Sequence, residues 1–140
     1  MIASWTPSFR KFYEWLRKHK KVNLIEYQKK NKNKNYAILA VQSDNRNHLT
    51  IRVRGKMVYV RVTLRELAEL LRGDASFAES PSYEDEYKKI CKEIAEKIKD
   101  VEEWVIITYL EGNGVIAKRF EVTENSILIE TTDGEIFRVG

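Results

Sequence analysis

Apolar residues recur along this chain with two different periods, and the change of period separates helical from extended stretches. Phe9, Phe12, Tyr13 and Leu16 fall at the three- and four-residue spacing of one buried helix face, with Arg10, Lys11, Arg17 and Lys18 on the other. Thr6 can cap that helix, and Pro7 suits its first turn because proline has no N–H to lose there. Residues 19–21 end it. Asn23 and Glu26 then stand at capping-box spacing ahead of a short helical segment, 24–30, although 22–27 reads equally well as extended chain. Residues 29–35 alternate Lys with Asn, hold nothing apolar to bury, and predict an exposed basic loop.

From Tyr36 the period becomes two. A strand is expected over 36–42, a polar turn over 43–47, and a second strand over 48–54 with Leu49, Ile51 and Val53 on one face and Thr50, Arg52 and Arg54 on the other. With Gly55-Lys56 as a two-residue hairpin loop, 57–62 returns as a third strand. That register sets Val53 opposite Val58, Ile51 opposite Val60 and Leu49 opposite Val62. On the reverse face it sets Arg54 beside Met57, Arg52 beside Tyr59 and Thr50 beside Arg61. Thr63 and Glu66 form a capping box before Leu64, Leu67, Leu70 and Leu71, with Gly73 as the stop. Ser82 is read as the cap of a helix reaching about Val101 that buries Tyr83, Tyr87, Ile90, Ile94, Ile98 and Val101. The run 103–111 is apolar on both faces and so is expected in the middle of a sheet. It is followed by a turn at Gly112-Asn113-Gly114, a strand over 115–123, and a hairpin of 127–130 and 135–139 around Thr132-Asp133-Gly134.

These elements define an α+β fold with mainly antiparallel sheet: a three-stranded N-terminal meander, a four-stranded C-terminal meander and three to four helices. At 140 residues, 43% hydrophobic and 33% charged, the chain is expected to form a single compact domain, 1–140. Within it lie two halves, a basic αβββα unit (1–73) and an acidic αββββ unit (82–140), joined by a small, polar, proline-containing stretch over 74–81. The apolar run 104–110 is too short to cross a bilayer, and the first residues lack a signal-peptide pattern. A soluble cytoplasmic protein with no membrane partner is the expectation. One cysteine, Cys91, excludes an intramolecular disulfide and any CxxC metal knuckle. Sixteen Glu and 15 Lys against 2 Gln lean toward a thermophilic source, while the Asn cluster over 31–47 pulls the other way.

Charge changes the picture most. Through Asp74 there are 17 Lys and Arg against 6 Asp and Glu, a net of +11; from Ala75 onward there are 8 against 15, a net of −7. A basic block of that size suits a polyanion, since each cation that meets a phosphate releases condensed counterions. The leading expectation is a small, non-catalytic nucleic-acid-binding protein, for DNA or RNA. Arg52, Arg54 and Arg61 would converge with Tyr59 on one sheet face, Tyr59 would offer a ring for base stacking, and Lys30, Lys32 and Lys34 would follow the backbone. The blander reading is an ordinary solvated sheet face, or one that docks the acidic residues 84–86. Docking on a second copy would make the protein an interaction module or homo-oligomer pairing basic and acidic surfaces.

Enzyme readings come third. A restriction-type, metal-dependent nuclease places an Asp on one strand and Glu-x-Lys on the next. Here the strand after Asp44 carries Arg52 and Arg54, and Glu86-Tyr87-Lys88 falls on a helix. His19 and His48 are isolated and read as surface histidines, and Cys91 reads as a buried structural thiol. No phosphate loop or dinucleotide fingerprint is present. No catalytic residue, metal ligand or cofactor is therefore expected, and an enzyme would need a site assembled by the fold from scattered residues.

Overall fold

The computed structural model describes residues 7–19, 21–41, 48–53, 56–109, 111–122 and 126–139, with the side chains of 7–9, 48, 56–59 and 122 excepted. Its helices are α1 (Pro7–Lys18), α2 (Leu24–Lys30), α3 (Leu64–Leu71) and α4 (Asp85–Lys97). Its strands are β1 (Val22–Asn23), β2 (Tyr36–Val41), β3 (His48–Val53), β4 (Lys56–Arg61), β5 (Glu103–Ile107), β6 (Asn113–Val122), β7 (Ile127–Thr131) and β8 (Ile136–Val139). All eight belong to one sheet with the order β4-β3-β2-β5-β6-β7-β8, and β1 extends the ladder on β6.

The two expected meanders are present, and they fuse through β2 and β5, which run parallel with Ile38 level with Val105 and Leu39 level with Ile106. The sheet is thus mixed, though every other pairing is antiparallel. Both central strands are apolar on both faces, as a strand covered on two sides requires. At their edge Gly114 of β6 must be glycine: a Cβ there would lie 2.4 Å from both the Ile106 carbonyl oxygen and Ile107 Cγ2.

Local chemistry accounts for the helix ends. On α2 the Asn23 side chain accepts the Glu26 N–H, so the ambiguous stretch 22–27 resolves into a two-residue strand followed by a helix. On α3 both halves of the Thr63/Glu66 capping box form. Its other end is a Schellman turn, in which Gly73 (φ +82°) donates to the Leu70 carbonyl and Asp74 to that of Glu69. The helix expected from Ser82 starts later, with Glu84 in the cap position, because Ser80 and Ser82 bond to each other in a turn ahead of it. It runs on past Lys97 as a 3₁₀ turn, Ile98–Asp100.

The two faces of the sheet are covered unequally. One packs against α1, α3 and α4 through Phe12, Leu16, Leu67, Leu70, Ile94 and Ile98, which meet Leu39, Leu49, Ile51, Ile106 and Ile129. The reverse face is covered by α2, whose Tyr27 sits with Ile38, Ala40, Val105, Ile107 and Ile116. Cys91 is buried in the larger cluster. Burial raises its thiol pKa to about 11, so it is neutral and shielded. Beside it Tyr83 and Tyr87 stack at 4.7 Å, and each donates a hydrogen bond, Tyr83 to Glu66 and Tyr87 to the Arg61 carbonyl. The Tyr83 hydroxyl pKa rises to about 12, because ionisation would cost it the Glu66 bond. Glu86-Tyr87-Lys88 lies on α4, where Tyr87 supports this contact.

Candidate nucleic-acid interface

Alternation along β3 puts Arg52 on the face that α2 covers, since its neighbour Ile51 belongs to the other. Pairing with Ile38 seats it beside the Tyr27 cluster. Arg52 is half-buried, and its side chain makes no hydrogen bond or ion pair with the described residues. On β4, Arg61 follows Val60, which belongs to the α4 side, and therefore also stands on the α2 face; it is exposed.

Arg52 and Arg61 stand further apart than expected, because the hairpin register differs. The observed pairs are Val53 with Lys56, Arg52 with Met57, Ile51 with Val58, Thr50 with Tyr59 and His48 with Arg61. Each strand is offset by one residue from the expected pairing: positions 54 and 55 now lie between the paired ends, where Gly55-Lys56 was expected. The face of each residue survives, since the total slip is even. Neighbours change, however. Arg52 loses Tyr59 to Thr50, and Arg61 sits level with His48, four residues or about 13 Å along the sheet from Arg52. Thr50, between them on the same face, is 2% exposed, so the middle of that surface is closed. Arg54 and the side chain of Tyr59 lie outside the described residues, and so do Asp44 and the side chain of His48.

The lysines divide into two roles. Lys30 at the end of α2 and Lys32 in the turn beyond it are exposed. Lys34 is drawn back to Glu103, with Nζ 3.5 Å from Oε2. The same carboxylate accepts the Tyr27 hydroxyl at 2.5 Å, and burial together with this bond raises the Tyr27 pKa well above its ordinary value. Next to it Glu102 accepts the Asn35 N–H and donates its own N–H to the Asn35 carbonyl. Lys34 thus ties the basic loop to the start of β5, with 39% of its side chain still exposed. Since β2 begins where β3 ends, with Ala37 level with Val53, Lys30, Lys32 and Arg52 belong to one end of one face.

The acidic helix does not cover that face from within the chain. The buried side chains of α4 (Cys91, Ile94 and Ala95) all belong to the opposite cluster, while Glu84, Asp85 and Glu86 remain exposed. Among the described residues no group of three or more His, Cys, Asp or Glu is placed to hold a metal ion, and no helix is long and apolar enough to cross a membrane. In comparisons with known proteins, no family model, no curated protein and no solved structure matches this chain.

Sequence reasoning missed a second arrangement, on the far side of the sheet. His19 was expected to be isolated, yet its ring stacks on Trp15 at 4.9 Å and its Nδ1 bonds the Trp15 carbonyl at 2.8 Å. Trp15 stacks in turn on Phe137 of β8 at 4.6 Å. Lys21 reaches Asp133 at 2.7 Å and Glu135 at 3.0 Å, pinning the β7–β8 turn to the chain entering β1. These partners lie over 110 residues apart in sequence, and only the four-residue spacing of Trp15 and His19 hinted at any of the contacts.

Proposed function

We propose that this chain is a non-catalytic binding protein for a polyanion, with a nucleic-acid strand as its ligand, and that contact is made at one end of the α2 face through Lys30, Lys32 and Arg52. The observation that carries the reading is the separation of charge across the sheet: these cations share the face away from α4, so the acidic half does not neutralise them internally. Lys34 has a positioning role through Glu103. Arg61 stands at the opposite end and would serve a strand that runs the length of β4. Stacking on Tyr59 is an added element of the proposal, to be tested by its own substitution.

The test is a fluorescence-anisotropy titration with labelled single- and double-stranded DNA and RNA at two salt concentrations. The triple variant K30E/K32E/R52A is compared with wild type and with Lys89→Gln, a change at an exposed position of α4. The triple variant is expected to weaken binding to every oligonucleotide. It should also flatten the salt dependence by about one unit for each phosphate that is no longer engaged, with Lys89→Gln unchanged. Equal binding by the triple variant and wild type would remove the proposed face.

A further inference from the structure

A groove of about 580 Å³ runs between α1 and β8, on the side of the sheet remote from Arg52. Its helical wall is the stripe Lys11, Trp15 and Lys18, spaced to lie on one side of α1. Its other wall is β8 itself, with Phe137 against Trp15 and Ile136 67% exposed. Among the described residues β8 pairs with β7 alone, so it is the end of the sheet.

The hydrogen bonds of the β7–β8 turn tell which way the backbone of β8 faces. Thr131 N–H donates to the Glu135 carbonyl at 2.9 Å, which makes residues 131 and 135 a bonded pair. Bonded and non-bonded pairs alternate in an antiparallel ladder, so 137 and 139 also address β7. Ile136 and Arg138 therefore turn their N–H and C=O groups outward along the groove. An unpaired edge of this kind is a template for one more strand.

The charge of the groove says what kind of strand fits. The helical wall brings Lys11 and Lys18 to it against the carboxylates Glu14 and Glu135, and Glu135 is already matched by Lys21 at 3.0 Å. Arg138 lends its backbone, since its side chain turns to the other face and donates to Ser126 Oγ at 3.1 Å. A second copy docked edge to edge about a two-fold axis would bring these like-charged walls together, which disfavours it. We propose that the α1–β8 groove is a docking site for an extended acidic peptide of a partner protein. The peptide adds to β8 as a further strand, with apolar side chains over Trp15 and Phe137 and carboxylates toward Lys11 and Lys18.

The probe is a fluorescein-labelled decapeptide of alternating Glu and Val, titrated into the full chain beside the same peptide with Lys in place of Glu. Two variants accompany it. Ile136→Pro removes an N–H that points away from β7 and so leaves the β7–β8 ladder intact, while K11E/K18E reverses the helical wall. The Glu-Val peptide should bind and the Lys-Val peptide should bind at least about tenfold more weakly. Each variant should lose about tenfold or more with an unchanged thermal melt, and K30E/K32E/R52A should bind the peptide as wild type does. Absence of binding, equal binding of the two peptides, or undiminished binding by K11E/K18E would overturn the proposal; that last arm stands even if Ile136→Pro does not fold. Displacement of the peptide by a single-stranded oligonucleotide would reassign the groove to nucleic acid. A dimer in sedimentation that K11E/K18E does not weaken and Ile136→Pro dissolves would reassign it to a second copy.

Discussion

The two faces of this sheet are built from the same strands and yet are different kinds of surface. The face under α1, α3 and α4 meets side chains from three helices and from strands along the whole width of the sheet, from Val60 on β4 to Val139 on β8. The face under α2 meets a helix of seven residues that supplies one buried ring, Tyr27, to a cluster over the central strands. Apolar burial contributes roughly 25 cal/mol per Å² wherever it occurs, so the first face carries most of the hydrophobic stabilisation. The second has flanks left for other work. At its β3 flank stand Arg52 and, at the end of α2, Lys30 and Lys32. Giving one face three helices and the other a single short one leaves the polyanion contact to the second face, while the peptide groove lies at the rim of the first, beside α1.

Adjacent residues of β5 break this comparison most sharply. Ile106 faces the large cluster and Ile107 the small one, and both are fully buried. Ile106→Ala leaves a cavity walled by elements that cannot all close in, and should cost about 4 kcal/mol. Ile107→Ala lies under one short helix that can settle, and should cost about 2 kcal/mol, at the low end of the same range. Urea denaturation of the two variants measures the difference directly. Equal losses would mean that α2 holds its face as rigidly as three helices hold theirs.

A smaller effect separates anchoring from packing on the α2 face. Tyr27→Phe keeps the ring against Ile38 and Val105 and deletes the hydroxyl that donates to Glu103. Glu103 retains Lys34, so its carboxylate is not stranded. The expected loss is about 1.5–3 kcal/mol, the worth of a hydrogen bond to a charged acceptor. If the loop after α2 is held by this carboxylate, amide exchange at Lys32 and Asn33 should quicken in Tyr27→Phe. An unaltered exchange rate would show that Lys34 alone is enough to hold it.

Much of the fold was legible in the sequence because its signals are local. The Thr63/Glu66 box, the Gly73 stop, the Asn23 cap and the Thr132-Asp133-Gly134 turn each need only neighbours within about five residues, and all are realised. What the sequence could not carry was anything set by pairing at a distance. The parallel joint between β2 and β5 is one case, since either meander could have stood alone. The hairpin register is another: two loop placements kept Leu49 and Ile51 on the buried face, so hydrophobic alternation could not choose between them. That offset is what set Tyr59 level with Thr50 instead of Arg52 and lengthened the distance from Arg52 to Arg61. Lys34 shows the same limit in a single residue. Its charge was plain, but the Glu103 carboxylate that claims it lies on a strand 69 positions later.

The smallest effect concerns the clamp at the β8 end. Lys21, Asp133 and Glu135 are each close to half exposed, so solvent screens their attraction and the cluster works as a positional tie more than as a source of stability. The bond from Lys21, together with one from the Thr131 hydroxyl, holds the Asp133 pKa at about 2, below its ordinary 3.8, while the same carboxylates raise that of Lys21. A carboxylate depressed in the folded state contributes in full above 3.8 and loses its contribution as pH falls through about 2. A lysine raised above 10.5 contributes in full below that value and loses it as pH rises beyond its folded pKa. The tie between the β7–β8 turn and the chain entering β1 is therefore complete across neutral pH and is released first on the acid side. Carbon-detected NMR titration of the Asp133 carboxyl should give a midpoint near 2 in the wild type and one closer to 3.8 in Lys21→Met. If the midpoint stays put in Lys21→Met, the Thr131 hydroxyl is the group that lowers it, and the position of β8 beside α1 depends on the turn alone.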